Sequence, residues 1–193
     1  MQQLQLQNQR QQLAVEREQQ RAVLLHNHFE KVLELSKAQL SSDALQISTF
    51  NARDLIAGAL ARRPNLPAEA QPLFAALLVT SLAATPLAGD LDLLEIALAN
   101  LLENAARYGE PPAQFRLECR TLPFAIEYHL MLTNQISLQQ APQADSGHGL
   151  GLLICRTIAS LQQGSCELQL TGQQASVCLR WQVPFTVMPA LAG

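Results

Sequence analysis

The sequence predicts an α+β protein: a two-layer sandwich of helices and antiparallel strands, preceded by one long helix. Three observations carry this. The first forty residues contain no Gly or Pro and repeat apolar positions at three- and four-residue steps. Two further helical stretches, at residues 51–63 and 90–109, are bounded by capping residues and breakers. Runs of alternating apolar and polar residues fall in pairs, at 113–134 and 165–185. Helices and paired strands in separate runs specify α+β layering, not a parallel sheet built by regular alternation.

Gln, Leu, Glu and Arg, all good helix formers, dominate residues 1–40. Val15, Ala22, Leu25, Phe29, Val32 and Leu33 form a stripe, with polar residues between them. A helix of this length needs a partner to cover such a stripe. For residues 1–10 the glutamine run leaves low-complexity disorder open as the alternative. Ser41, Ser42 and Asp43 break the helix, and "ALQIST" alternates as a short strand. Asn51 is a natural N-cap for "NARDLIAGALARR", which Pro64 closes. Residues 64–72 read as a loop. The run "LFAALLVTSLAATPLAG" that follows is continuously apolar, so periodicity leaves strand and helix equally open.

Asp90 opens the clearest helix, "DLDLLEIALANLLENAARYG", ended by Gly109 and Pro111–Pro112. Two strands follow, "AQFRLECRTL" and "FAIEYHLMLTN", meeting near Pro123 as a hairpin does. The polar segment "QISLQQAPQADS" leads to the glycine cluster "GHGLGL" and its helix, and the last strands turn at "TGQQ".

With 193 residues, 48% of them hydrophobic, and a formal charge of -3, the chain has room for one core and an appendage. It lacks the basic balance of a nucleic-acid binder, and no nucleic-acid partner is expected. Cys119, Cys155, Cys166 and Cys178 lack the paired spacing of a zinc site and read as reduced structural thiols of a cytosolic protein. No stretch has the ~18 uncharged apolar residues of a membrane span, and the glutamine-rich start is unlike a signal peptide. A cytoplasmic location without membrane contact by this fragment is the expectation.

Gly147, Gly149 and Gly151 stand just ahead of a helix, where backbone N–H groups are free to face an anion. By themselves they read equally as a plain turn. Asn100 and Asn104 are four residues apart and share a helix face, with Arg107 and Tyr108 one turn further on. Leu98, Leu101, Leu102 and Ala105 point the other way, into a core. A solvated polar surface is the bland reading of that Asn face. An amide oxygen nevertheless suits Mg²⁺, and a guanidinium suits a phosphate oxygen. Together the two elements form a two-sided grip for a metal-bound polyphosphate.

The order "NLLENAARYG", paired strands, then "GHGLGLLICRTIASLQQG" resembles the N box and second glycine box of the sensor histidine kinases, within the ATPase superfamily that includes gyrase and the mismatch-repair ATPases. The resemblance covers about residues 46–185. It implies a two-layer α/β sandwich of the histidine kinase ATPase type, with residues 46–187 as the ATP-binding catalytic domain and 188–193 as a tail. Residues 1–41 resemble the second helix of the family's dimerisation hairpin. The implied ligands are ATP and Mg²⁺. Asn104 takes the position of the metal ligand, Asn100 that of a second polar contact, Arg107 that of the basic residue on the phosphates, and Tyr108 lies near the nucleotide. Gly147, Gly149 and Gly151 allow backbone approach to the triphosphate, Leu150 and Leu152 anchor the following helix, and His148 faces phosphate or solvent. Asn100 stands where the hydrolytic members carry a Glu base, which suits a kinase better than an ATPase.

The resemblance further implies a homodimer through the N-terminal helix, a response regulator receiver domain as partner, and a parent protein that can be membrane-anchored. The phosphoacceptor histidine is expected outside this chain, because His26 and His28 in "LHNHFEKV" do not match the acceptor motif. One departure matters. Where the family has an Asp followed by a Gly-rich loop for the adenine, this chain has Asn134 and then "QIS". An Asn carbonyl accepts one hydrogen bond without charge assistance, at about half the strength. Residues 135–146, the place of the ATP lid, are also short. A second reading follows: a degenerate module that docks a response regulator without binding ATP.

Overall fold

A computed structural model describes Ser36 and residues 45–63, 85–136 and 149–187. The expected long helix other than Ser36, the loop at 64–72, most of the apolar run, the lid segment with Gly147 and His148, and the tail lie outside the described residues.

Strand β1 (Ile47–Asn51) runs directly into helix α1 (Ala52–Ala61) at the expected cap. Asn51 Oδ1 accepts the Asp54 N–H at 3.0 Å, and the Asp54 carboxylate accepts the Asn51 N–H at 3.3 Å, so two otherwise orphaned donors are satisfied reciprocally. The end of the apolar run forms β2 (Pro86–Asp90), antiparallel to β1. Asp90 then caps α2 (Leu91–Tyr108), its Oδ1 accepting the Leu93 N–H at 3.2 Å. Gly109 ends α2 as expected and at once begins β3 (Gly109–Thr121). Pro111 and Pro112 therefore lie inside a strand, where the ladder to β4 shifts register between Glu110 and Gln114. Proline has no N–H to give the ladder, so it falls at such an irregularity. The remaining elements are β4 (Ala125–Ile136), α3 (Gly149–Leu161), β5 (Ser165–Thr171), β6 (Gln174–Pro184) and a 3₁₀ turn at Phe185–Val187. Gly172, with φ +60°, makes the expected turn between β5 and β6.

Among the described residues the main sheet has the order β3-β4-β6-β5, every pair antiparallel. Alternate residues of its central strands face the helices: Tyr128, Leu130 and Leu132 on β4, Leu179, Trp181 and Val183 on β6. Tyr128 and Trp181 are paired across the strands and stack with centroids 5.1 Å apart. Trp181 also donates its indole N–H to Ala88 O at 2.8 Å, which ties the β1–β2 pair to the main sheet. Helices α2 and α3 pack on this face, α1 packs on α2, and α2 is buried on nearly every side from Leu93 to Leu102. This is the two-layer sandwich that the sequence specifies.

The reading of the Asn face as a solvated surface fails for Asn100, which is 1% exposed, while Asn104 is half-buried and Arg107 exposed. Cys155 and Cys166 are buried, Cys119 is exposed, and all four cysteines are free thiols, as expected. Among the described residues no helix is long and apolar enough to cross a membrane.

The outer face of the sheet is polar. Glu127 on β4 accepts from Gln182 Nε2 at 2.9 Å and pairs with His129 Nε2 at 2.6 Å. The hydrogen bond with His129, followed by that with Gln182, lowers the Glu127 pKa below its ordinary value of 4.5. A carboxylate whose folded-state pKa is depressed contributes stability that is complete above the unfolded value and is lost as pH falls through the folded value. The melting temperature of Glu127→Gln should therefore lie furthest below that of the wild type above pH 4.5. The gap should close on further acidification; thermal melts in which it stays constant with pH would refute the linkage.

Candidate functional site

Helices α2 and α3 run antiparallel, so the end of α2 meets the start of α3. Gly151 makes that meeting close. A Cβ there would sit 3.4 Å from Asn100 Oδ1 and 3.5 Å from Asn104 Nδ2, already in van der Waals contact. Any larger side chain would push the helices apart or displace the two amides. The first turn of α3 thus lies directly beside the Asn face of α2.

The two asparagines differ in setting. Asn100 is buried and donates Nδ2–H back to Ile96 O at 2.9 Å, four residues earlier in its own helix. Asn104, one turn nearer the helix end, is only half-buried and keeps a side open. Deeper in the same seam, the Cys155 thiol of α3 donates to Ala97 O of α2 at 3.3 Å. Ile154, Cys155 and Ile158 are fully buried and anchor α3. Of the leucines expected to do so, Leu152 packs against the core while Leu150 is half-buried. The anchoring residues were missed because periodicity gives the stripe of a helix but not which part of it lies deepest.

Arg107 is about half exposed and pairs with Glu103 at 2.9 Å, one turn back. Glu103 also meets Arg63, from the end of α1, at 3.3 Å. One carboxylate thus holds two guanidiniums beside the site. Tyr108 is half-buried at the end of α2. Asn134, near the end of β4, lies under that same end: a Cβ on Gly109 would collide with the Asn134 amide. It is 9% exposed and donates Nδ2–H to Gln135 O at 3.1 Å. Asn100, Asn104, Arg107, Tyr108, Asn134, Gly149, Leu150, Gly151 and Leu152 therefore all lie on α2, the first turn of α3 or the end of β4, while Gly147 and His148 lie outside the described residues.

Chemically, this corner offers the amide groups and positive dipole end of α3 together with an open carboxamide on α2. The first turn of α3 carries no acidic residue to oppose an anion. Among the described residues no cluster of three or more His, Cys, Asp or Glu side chains could hold a metal. The Asn104 carboxamide oxygen is of the type that could hold Mg²⁺, an ion that takes few protein oxygens and keeps phosphate oxygens and waters as its other ligands.

Solved histidine kinases share this architecture. The Acinetobacter baumannii histidine kinase AdeS is 15% identical over 79% of this chain and 75% of its own, with a TM-score of 0.54. Full-length ShkA in complex with AMPPNP is 16% identical over 78% of this chain and 34% of its own, with a TM-score of 0.50. No protein-family model matches the sequence, and no curated protein matches it. By its fold, the chain is an α/β sandwich of the histidine kinase ATPase type.

Neutralising Glu103 should release both guanidiniums toward an anion at the corner. Arg107 is about half exposed, and ion pairs at a surface contribute about 0.2–1 kcal/mol, so Glu103→Gln should tighten inorganic pyrophosphate binding by up to about fivefold in calorimetry at low salt. The gain should shrink as salt is added. Equal affinity in the two proteins would show that Glu103 does not restrain these arginines.

Proposed function

We propose that residues 46–187 are the ATP-binding catalytic domain of a two-component sensor histidine kinase, transferring the γ-phosphoryl group of ATP to a histidine outside this chain. One observation carries the reading: Gly151 brings the first turn of α3 against Asn104 of α2, so backbone donors and an open carboxamide face one space. Polyphosphate binds at the N-terminus of α3, where unsatisfied N–H groups and the helix dipole favour negative charge. Asn104 would hold Mg²⁺, which neutralises charge on the phosphates as it develops. Arg107, exchanging Glu103 for a phosphate oxygen, adds a second positive group. Catalysis of this kind rests on positioning and charge. Asn100 has no basic carboxylate, and its amide N–H is engaged by Ile96 O, so nothing at that position activates water for hydrolysis.

Residues 1–41, on the same reading, carry the dimerisation helix, and a response regulator receiver domain is the partner; the kinase works in the cytoplasm, whether or not a parent protein is membrane-anchored. Light scattering across a concentration series should give the mass of two chains, and a mass of one chain throughout would refute the dimer.

The second reading, a docking module that binds no ATP, is favoured by Asn134. Its amide is nearly buried, and there is no carboxylate at this position for an adenine amino group. Titration calorimetry separates the two. Mg-ATP should bind saturably, and Asn104→Ala should weaken it about 10- to 100-fold, the size of a lost contact to a charged partner. That difference should vanish when chelator removes the Mg²⁺. Equal binding by Asn104→Ala in Mg²⁺ refutes the metal assignment. No ATP binding at all, with a receiver domain still bound, replaces the first reading by the second.

A further inference from the structure

Away from the site, α2 and α3 are joined at their other ends by a buried polar junction. Gln162 follows the last turn of α3 and is 1% exposed. Its Oε1 accepts the Asp90 N–H at 2.9 Å, and its backbone carbonyl accepts the Gln182 N–H at 2.8 Å. Asp90, 6% exposed, is the cap of α2. Its Oδ1 takes the Leu93 N–H, and its Oδ2 takes the Gln46 N–H at 3.0 Å. The start of α2, the end of α3, the central strand β6 and Gln46 just before β1 therefore meet at Asp90 and Gln162.

The space is shaped for this contact. Gly89 has φ +154°, and a Cβ on it would lie 2.9 Å from Gln162 Oε1 and 2.8 Å from Leu94 Cδ1. On the other side, a Cβ on Gly164 would collide with the Arg180 carbonyl. Gln162 also carries a cost: its Nε2 is buried with no hydrogen-bond partner among the described residues. Burying an amide N–H₂ unsatisfied is unfavourable, and an apolar side chain of the same shape would avoid it. That apolar side chain would leave the buried Asp90 N–H without its acceptor in turn. What the glutamine supplies is the carbonyl oxygen that holds the N–H of Asp90, the cap of α2.

We propose that Gln162 is a positioning residue for the nucleotide site, fixing the axial register of α3 against α2 and thereby the approach of Gly151 to Asn104; this rests on the nucleotide-site reading. From Asp90 to Asn104 is about 21 Å along α2, and from Gln162 to Gly151 about 16 Å along α3, at 1.5 Å per residue. Both helices are continuous over these spans and closely packed. A displacement at the junction is therefore delivered at the far end, where a misplacement of about 1 Å can cost about a hundredfold in rate.

The test uses the full chain. Gln162→Met keeps the length of the side chain and removes the acceptor. Val183→Ala, at a fully buried position outside the junction, serves as a control for plain loss of stability. In nuclear magnetic resonance spectra without ligand, Gln162→Met should displace the Gly151 backbone amide and the Asn100 and Asn104 side-chain amide signals, and Val183→Ala should leave them in place. Mg-ATP affinity should fall about tenfold or more in Gln162→Met alone. Signals unmoved in Gln162→Met, or moved equally in Val183→Ala, would overturn the proposal. If the wild type binds no Mg-ATP, the nucleotide reading fails by itself, while the ligand-free signals still decide the register claim.

Should Gln162→Met not fold, Gln162→Glu answers the same question. Burial and the neighbouring Asp90 charge keep such a carboxyl protonated, with a carbonyl oxygen in the same place. Wild-type signal positions are expected there, and displaced ones would overturn the role of the acceptor.

Discussion

At Gly151, helix α3 lies against α2 with no side chain between them, and the rest of the domain is arranged to permit that contact. Two helices ordinarily pack with their axes 8–10 Å apart, the distance set by the side chains at the contact. A glycine at the crossing lets the backbone itself come up to Asn100 and Asn104. The gain is chemical as much as steric. Peptide N–H groups at the start of α3 and a carboxamide on α2 end up in one space, each held by an element packed into the core. A site on regular elements is held more closely than one on loops, because the packing behind each group fixes it.

That contact depends in turn on the layer beneath. Helix α2 is apolar on nearly every side because α1, α3 and strands β1 to β4 pack around it. The stacked Tyr128 and Trp181 rings form part of its floor, and the indole N–H reaches Ala88 to fix the strand that feeds α2. At the other end, the Asp90–Gln162 junction prevents α2 and α3 from sliding past one another. Among the described residues, Asn104, Arg107 and Tyr108 emerge from the core at the end of α2.

Much of this is legible in the sequence because it is local. The caps Asn51 and Asp90, the breaker at Gly109 and the turn at Gly172 act through neighbours within a few residues, and each falls where the sequence places it. Alternation marks the runs that become β4 and β6. What is not legible depends on partners distant in the chain. Periodicity marks Asn100 and Asn104 as the polar face of α2, but only the presence of α3 makes Asn100 buried. The apolar residues before Asp90 have no period, and pairing with β1 makes Pro86–Asp90 a strand. Gln162, 72 residues from its partner Asp90, reads in sequence as part of a polar helix end. The four-residue spacing of Glu103 and Arg107 is local, but nothing local brings Arg63 to the same carboxylate.

The central claim is spatial: one metal-bound polyphosphate occupies the corner between Asn104 and the first turn of α3. Paramagnetic broadening with Mn²⁺ in place of Mg²⁺ tests it most directly, because the effect falls steeply with distance from the ion. With ATP and Mn²⁺ together, the Asn104 side-chain amide and the Gly149 and Gly151 backbone amides should be the most strongly broadened signals in the spectrum, and Mn²⁺ alone should leave them sharp. Saturable ATP binding with the broadening centred elsewhere, or no broadening at these groups at any ATP concentration, would contradict the account.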